Sequence, residues 1–235
     1  MTDIHNHLLY GIDDGSKSIE ESIEVLKEMK KCGFDNIILT PHYIKDSKYN
    51  SSKKNNLEKM ATLQKALDNE NINIKLYLGN EIFIDDGIYE LLMREEISPL
   101  NNTSYLLIEL PMSGEYDDYK EIFKDLINKG YHVVLAHPER YHSFQKDFNK
   151  IYELNKMGVY FQCNLDSIIG GYGENAEKTI KRLLKEKKVA FLATDIHQKK
   201  HDYTKWQRAK LVALKYLTEK EFYLITNKNP GQLLD

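Results

Sequence analysis

The chain has 235 residues, of which 41% are hydrophobic and 29% charged, and its formal net charge is -3. A chain of this length can bury a full-sized core, and the composition is that of an ordinary globular protein rather than a disordered one. The nearly balanced charge gives no reason to expect a nucleic-acid or membrane partner, and no apolar run approaches the roughly 18 residues of a membrane-spanning helix.

The N-terminus and the cysteines predict the compartment. The first residues do not form a basic segment followed by an apolar stretch, so we expect no signal peptide. Cys32 and Cys163 lie far apart and do not form a CxxC pair. These features predict a reduced, cytoplasmic protein.

The segment DIHNHLLYGIDDGSKS, residues 3–18, admits two interpretations. Gly11, Gly15 and Lys17 come close to a phosphate-binding P-loop. That loop needs four residues between its first glycine and a Gly-Lys pair. Here three residues separate Gly11 from Gly15, and Ser16 precedes Lys17. The spacing therefore argues against a P-loop.

The acids and histidines of the same segment favour a metal site. His5 and His7 come at the end of the first predicted strand, and residues two apart on a strand project to the same side. Asp14, or Asp13, follows in the loop as a further ligand, and two aspartates would oppose a bound triphosphate. We interpret the segment as part of a metal site.

The first predicted helix follows at once. Ser18 and Glu21 form a capping-box pattern, and Gly33 ends the helix. The apolar residues of this helix share one face: Ile19, Ile23, Leu26 and Met29.

Short apolar runs and amphipathic helical patterns then alternate to the end of the chain. The predicted strands are Thr2–His5, Asn36–Thr40, Ile74–Leu78, Tyr105–Glu109, His132–Ala136, Val159–Gln162 and Val189–Thr194. The predicted helices after the first are Lys53–Asn69, Asp86–Arg94, Tyr116–Lys129, Asp147–Met157, Asn175–Glu186 and Thr204–Tyr216. Seven strand-then-helix repeats favour an α/β fold in which a parallel sheet closes into a barrel.

Titratable side chains lie at the ends of these strands, where α/β barrels carry their chemistry. Five of the eight histidines fall there, together with three carboxylates in equivalent places. The histidines are His5, His7, His42, His137 and His197, and the carboxylates are Glu81, Glu109 and Asp195. Such a set would be desolvated and self-repelling unless cations neutralised it, and mixed His, Asp and Glu ligands suit zinc, manganese or iron. Three or four groups complete one site, so the pattern implies more than one metal ion.

At this point the sequence resembles the polymerase and histidinol phosphatase (PHP) superfamily. The ordered set is HxH, a loop Asp, a His after the second strand, then Glu, His and a late DxH. The segments DIHNHLLYGIDDGSKSIEES, TPHY, GNEIF, LLIEL, AHPERY and ATDIH are similar to bacterial protein tyrosine phosphatases that regulate capsule and exopolysaccharide synthesis. The resemblance runs from residue 3 to about residue 200.

The resemblance implies a distorted seven-stranded (β/α) TIM-like barrel of the PHP type, formed by residues 1–235 as a single catalytic domain. It also implies three metal ions, manganese or iron, although the ligand types also permit zinc. The implied ligands are His5, His7, Glu81 and Asp195 for the first ion, Glu81, Glu109 and His137 for the second, and Asp14, His42 and His197 for the third.

The resemblance also assigns the substrate contacts. Arg140, in HPERY, matches a catalytic arginine of these phosphatases. A second family arginine follows the DxH motif, but DIHQKKHDYTK contains no arginine before Arg208. The candidate substrate-binding residues are therefore Arg140, Lys199, Lys200 and His201. His42, His201 or a metal-bound water would protonate the leaving group.

The implied activity is hydrolysis of phosphotyrosine on a tyrosine kinase of capsule or exopolysaccharide synthesis. A metal-bridged hydroxide is expected to attack phosphorus in line, without a covalent intermediate. Cysteine-dependent tyrosine phosphatases need an arginine six positions after the cysteine. Ile169 and Ile38 occupy those positions after Cys163 and Cys32, which excludes the thiol route.

Two alternatives remain open from the sequence. The same centre could act on histidinol phosphate or another small phosphomonoester, although such enzymes usually carry longer insertions over the mouth of the barrel. The chain could also be a metal-stabilised regulator without catalytic activity. Turnover of a phosphotyrosine peptide compared with histidinol phosphate separates these possibilities.

Overall fold

The computed structural model describes residues 1–197 and 202–234 of the chain. Within these ranges it contains nine strands, all paired in parallel. The strands are β1 (Thr2–Asp3), β2 (Asn36–Leu39), β3 (His42–Tyr43), β4 (Lys75–Leu78), β5 (Glu81–Phe83), β6 (Tyr105–Glu109), β7 (His132–Ala136), β8 (Tyr160–Asn164) and β9 (Phe191–Ala193). Their hydrogen-bonded order is β1-β2-β4 in one sheet and β3-β5-β6-β7-β8-β9 in the other. The predicted α/β class is confirmed.

The two sheets are continuous along the chain. β2 leads into β3 through a break at Pro41, and β4 leads into β5 through a break at Gly79. The Gly79 N–H donates to the Leu39 carbonyl at 2.8 Å, and the Glu81 N–H donates to the Pro41 carbonyl at 3.2 Å. The strand pairing therefore passes across both breaks, from the first sheet into the second.

These breaks account for the difference from the seven predicted strands. The second and third predicted strands end at Thr40 and Leu78, so the prediction missed β3 and β5. Segments of two and three residues are too short to show the alternation that identifies a strand. Both begin with a candidate ligand, His42 in β3 and Glu81 in β5.

The first and last strands close the barrel on one side. Asn6 and Ile196 form a parallel bridge. The Asp195 N–H donates to the His5 carbonyl at 2.8 Å, and the His7 N–H donates to the Ile196 carbonyl at 2.9 Å. The segment that carries His5 and His7 is thereby fixed beside the segment that carries Asp195.

The barrel is distorted on the other side, between β4 and β6. In the described part of the chain β4 pairs with β2, whereas β6 pairs with β5 and β7. A 3-10 turn at Leu100–Asn102 lies next to this gap. A Cβ at Gly79 would come within 2.8 Å of Leu100 Cδ2, so the turn packs directly against the break in the strand.

Helices follow most of the strands. They are α1 (Ile19–Lys31), α2 (Lys53–Asn69), α3 (Ile88–Met93), α4 (Lys120–Asn128), α5 (His142–Lys146), α6 (Asn149–Lys156), α7 (Glu174–Lys185), α8 (Thr204–Ala213), α9 (Glu219–Tyr223) and α10 (Asn229–Gly231). The Ser18 side chain caps α1 through the Glu21 N–H, but the Glu21 carboxylate accepts from the Lys17 N–H, so only half of the predicted capping box forms.

Alternation along the strands separates two apolar clusters. Leu106 and Ile108 of β6 pack with the large cluster that lies between strands and helices. Leu107 packs in a second cluster with Ile38 and Val134, inside the barrel. Alternate residues of a strand share a side, so β6 directs Glu109 to the same side as Leu107. Glu109 therefore faces the inside of the barrel at its carboxyl end.

The C-terminal segment was not predicted beyond α8. After α8, the helix α9, a π-helical turn at Leu224–Lys228 and α10 follow in succession. Phe222 and Ile225 of this segment belong to the large apolar cluster. No helix in residues 1–197 and 202–234 combines the length and the apolar character that crossing a membrane requires.

Candidate metal centre

The nine predicted ligand side chains lie together at the carboxyl ends of the strands and form four overlapping groups. Within each group the ligand atoms lie within 4.8 Å of one another. The groups are His7, Asp14, His42 and His197; His5, His7 and Glu81; His5, His137 and Asp195; and His42, Glu81 and Glu109. Several members belong to two groups. The implied division among three ions differs from these groups, and it stays a prediction.

Glu81 lies at the middle of the cluster. Its Oε1 is 3.2 Å from His5 Nε2 and 3.0 Å from His137 Nε2. Its Oε2 is 3.3 Å from His7 Nε2 and 3.0 Å from His42 Nδ1. One carboxylate therefore faces four imidazoles, which is the placement expected of a ligand shared between ions.

Four buried imidazole nitrogens have no hydrogen-bond partner in the described part of the chain: His5 Nε2, His7 Nε2, His42 Nδ1 and His137 Nδ1. A buried polar atom without a partner is costly. The first three of these nitrogens lie 3.2, 3.3 and 3.0 Å from an oxygen of Glu81, so nitrogen and oxygen lone pairs surround common points. This is the arrangement that divalent cations satisfy, and the residues present therefore fit metal ions.

Neighbouring groups fix the orientation of two of the rings. His5 Nδ1 lies 2.7 Å from the Gln162 side-chain oxygen, and His197 Nδ1 lies 2.9 Å from the Asp195 carbonyl oxygen. Both oxygens are acceptors, so each Nδ1 carries a proton, and each Nε2 presents a lone pair when the ring is neutral. Metal-binding histidines are commonly held in this way.

Asp13 holds His7 in the same manner. Its Oδ2 lies 2.7 Å from His7 Nδ1 and accepts from the His42 N–H at 2.9 Å. Its Oδ1 accepts from the Gly15 N–H at 2.9 Å. The Asp13 carboxylate is thus fully engaged beside the cluster rather than in it.

Asp14 has a different environment. Its side chain is half exposed, and its Oδ1 lies 3.7 Å from Nε2 of both His42 and His197. Of the two aspartates that the sequence left open, Asp14 is the one whose carboxylate lies in a potential ligand group.

Burial and the charges within the metal-free cluster shift the pKa values of its members and so determine which of them carry protons. Burial alone would lower the pKa of His5, but the charges of Glu81 and Asp195 raise it to about 9. Burial and the charge of Glu81 raise the pKa of Glu109 to about 8. Despite burial, the imidazoles keep the pKa values of Glu81 and Asp195 well below the usual carboxyl range. Protons on His5 and Glu109 therefore supply positive charge and remove negative charge in the metal-free cluster.

Arg140 lies at the edge of the cluster. Its Nη1 donates to Oδ2 of Asp195 at 2.9 Å, and the Asn164 side-chain amide donates to the same oxygen at 2.6 Å. The other oxygen, Oδ1, lies 3.4 Å from His5 Nε2. Asp195 thus connects the arginine with the ligand cluster. The other predicted substrate contacts, Lys199, Lys200 and His201, lie outside the described residues.

Neither cysteine is placed for catalysis. Cys163 is buried in the large apolar cluster between strands and helices, whereas its neighbours Gln162 and Asn164 contact the ligand residues. Burial raises the pKa of the Cys163 thiol well above its ordinary value. Cys32 lies at the end of α1, away from the strand ends.

Sequence reasoning missed the residues that hold the ligands. Gln162, Asn164 and Glu139 are buried and hydrogen-bonded around the cluster. A signal was present, because Gln162 and Asn164 are polar residues at the end of an otherwise apolar strand. Their partners, however, lie far away in the sequence and become visible only in the fold.

Comparison with known proteins gives a consistent result. The model of the CpsB/CapC family, described as capsular polysaccharide synthesis, matches residues 1–235. The chain is 35% identical over 198 residues to the putative tyrosine-protein phosphatase CapC of Staphylococcus aureus, a match that covers 84% of this chain and 77% of that protein.

Solved structures agree with this result. One from work on YwqE of Bacillus subtilis and CpsB of Streptococcus pneumoniae, described as unique metal-dependent tyrosine phosphatases, matches with a TM-score of 0.87 and 30% identity, over 100% of this chain and 94% of that one. Histidinol phosphate phosphatase of Lactococcus lactis, solved with zinc, L-histidinol and phosphate, matches with a TM-score of 0.63 and 16% identity, over 92% and 93% of the two chains. The second likeness supports the PHP-type fold alone.

Proposed function

Because the chain belongs to the CpsB/CapC family of capsular polysaccharide synthesis, we propose that it is a metal-dependent protein tyrosine phosphatase. The observation that carries this proposal is the meeting of nine ligand-type side chains beside Arg140. The relatives named as tyrosine phosphatases support the substrate class.

We propose three bound ions, held by the nine side chains of the cluster, and manganese or iron as their identity, with zinc permitted. When bound, such ions act as Lewis acids and lower the pKa of water from near 16 to about 7, which supplies a nucleophile at neutral pH. The absence of a usable thiol supports direct displacement at phosphorus without a covalent intermediate.

Arg140 would bind the non-transferred phosphoryl oxygens. A guanidinium has five N–H donors, and in the described structure one of them is used by Asp195. The remaining donors form a planar fork that suits phosphate oxygens. A positive charge held there before the reaction stabilises the charge that develops in the transition state.

His42 had two proposed roles, ligand and acid. Its Nδ1 faces Glu81 and its Nε2 faces Asp14, so both ring nitrogens lie among ligand groups. We therefore favour the ligand role. A tyrosine phenol has a pKa of about 10 and leaves without a strong general acid.

The physiological substrate is proposed to be a tyrosine kinase of polysaccharide synthesis. The family description supports the pathway. We also propose that residues 1–235 act as one catalytic domain, because buried residues from Leu8 to Ile225 share one apolar cluster. A cytoplasmic location stays a prediction from the sequence.

The test compares phosphate release from a phosphotyrosine peptide and from histidinol phosphate by protein loaded with Mn²⁺. We expect a strong preference for the peptide, and loss of activity after chelation that returns when Mn²⁺ is added. Preference for histidinol phosphate would reassign the substrate. A fully metal-loaded protein without activity on either compound would support a regulatory role instead.

A further inference from the structure

Tyr172 lies against Arg140 at the edge of the metal cluster. The centre of its ring is 4.3 Å from the guanidinium carbon Cζ, and its hydroxyl is 3.4 Å from Oδ2 of Asp195. A guanidinium within about 6 Å of an aromatic face is attracted by the ring. Tyr172 thus contacts the arginine through its ring and the carboxylate partner of the arginine through its hydroxyl.

The loop that carries Tyr172 has a constrained backbone. Gly170 has a φ of +81° and Gly173 a φ of +91°, conformations that side chains rarely allow. The Gly171 N–H donates to the Asp166 carbonyl oxygen at 2.9 Å. A Cβ at Gly171 would lie 2.9 Å from the same oxygen, so a larger residue would not fit there. Glycines on both sides therefore allow the backbone shape that places the tyrosine ring over Arg140, and the hydrogen bond from the Gly171 N–H to Asp166 holds it.

Buried hydrogen bonds join this loop to the arginine segment. Oε1 of Glu139 accepts from the Asn164 N–H at 2.8 Å and from the Ser167 hydroxyl at 2.7 Å. Ser167 lies in the 3-10 turn that precedes the glycine loop. The residue before Arg140 in the sequence thus holds the base of the loop that places Tyr172.

We propose that Tyr172 is a positioning residue that holds the Arg140 guanidinium in the orientation that binds the phosphoryl group. An unrestrained arginine side chain loses conformational freedom when it binds an anion, which weakens binding. A ring against one face of the guanidinium removes part of this cost beforehand. The inference rests on the proposed function, because it takes phosphate as the ligand of Arg140.

The test is a double-mutant cycle on orthophosphate binding to Mn²⁺-loaded protein, measured by calorimetry. Tyr172→Leu removes the aromatic face and is expected to weaken phosphate binding about threefold, the size of a cation–π contact at a tyrosine that is 37% exposed. Tyr172→Phe keeps the ring and should restore most of the affinity. Tyr223→Leu changes a tyrosine that is 59% exposed in α9, and it serves as the matched control.

The decisive arm combines Tyr172→Leu with Arg140→Ala. If the tyrosine acts through the arginine, Tyr172→Leu has no further effect on phosphate affinity once Arg140 is absent. Equal losses in both backgrounds, a Tyr172→Leu affinity equal to wild type, or no phosphate binding by the metal-loaded wild type would each overturn the proposal. Metal content and thermal unfolding identify a variant that has simply lost its fold.

Phosphate binding also separates this inference from the proposed function. Wild-type protein that binds orthophosphate but does not hydrolyse a phosphotyrosine peptide would remove the substrate assignment and leave the Tyr172 cycle intact. Hydrolysis of the peptide together with additive effects of the two substitutions would support the phosphatase assignment and show that Tyr172 does not act through Arg140.

Discussion

Nδ1 of His7 lies 2.7 Å from Oδ2 of Asp13, and both side chains are buried. The charge of His7 keeps the pKa of Asp13 well below its usual value in spite of burial, so this carboxylate stays ionised. An ionised acceptor on Nδ1 fixes the ring and makes Nε2 a more basic ligand. Asp13 thus orients the ligand His7 without being a ligand itself.

Asp13→Asn is expected to weaken metal binding rather than abolish it. The amide is nearly the same size but lacks the charge that orients His7, and changes of this kind cost about 10- to 100-fold in metal affinity. Competition with a fluorescent chelator measures the effect. Asp85→Asn, at a partly exposed carboxylate paired with Lys45, is the matched control. An unchanged affinity in Asp13→Asn would show that the contact does not support the ligand.

Protons and metal ions should compete for the cluster. Without metal the pKa of His5 is about 9 and that of His7 is well above its ordinary value, so both imidazoles carry protons at pH 7.5. Metal uptake must release both of these protons together with the one that a pKa of about 8 leaves on Glu109, so about three per protein. Calorimetry in buffers of different ionisation enthalpy counts them. Uptake without proton release would mean that neither imidazole is a ligand.

The same pKa values predict that the stability of metal-free protein and that of metal-loaded protein change with pH in opposite directions. A histidine pKa raised on folding contributes stability that is complete below about pH 6.5 and is lost as the pH rises through the folded value, about 9 for His5. Thermal unfolding of metal-free protein should therefore shift to lower temperature between pH 6.5 and 9. Metal-loaded protein should show the reverse trend, because proton competition fades. Parallel pH profiles for the two forms would contradict this prediction.

Arg140→Ala should lower turnover without removing metal. Loss of one preorganised donor to the transition state costs on the order of a hundredfold or more. Asp195 keeps its contacts with Asn164 and the cluster, so the metal content is expected to hold. Kinetics on a phosphotyrosine peptide, with elemental analysis of the same sample, provide the measurement. His5→Ala, by contrast, should lose metal and activity together.

The outline of this fold follows from local pattern, whereas the breaks and the supporting contacts do not. Buried strands such as β6 and β7 were predicted with their observed ends, because runs of apolar residues identify them. β3 and β5 were missed because their pairing depends on long-range neighbours rather than on their own few residues. A sequence shows no distance between residues such as Arg140 and Tyr172.

The site shows the same division. Eight of the nine ligand candidates could be identified because titratable side chains at strand ends have no structural reason to be there. Asp13 could not be separated from Asp14 by spacing, since adjacent residues in a loop have no fixed orientation. The fold distinguishes the two: Asp13 is hydrogen-bonded to His7 and to the Gly15 N–H, whereas Asp14 lies in a potential ligand group.

Gly15 lies in the loop that carries Asp13 and Asp14, and it provides a test of how closely this loop must pack against His7. A Cβ added there would lie 1.9 Å from the His7 carbonyl oxygen and 2.7 Å from its carbonyl carbon, both backbone atoms that cannot rotate away. That carbonyl also accepts from the Ser16 N–H at 3.0 Å, so the loop is tied to the segment it would have to leave. Gly15→Ala should therefore lower the free energy of unfolding by about 2 kcal/mol or more, or roughly 4 °C or more in Tm. It should also reduce metal content, because the displaced loop carries Asp13 and Asp14.

Gly231→Ala, where an added Cβ meets no atom within 4 Å, is the control and should leave both quantities unchanged. If Gly15→Ala matched this control, the close approach of the loop to His7 would not exist in the folded protein.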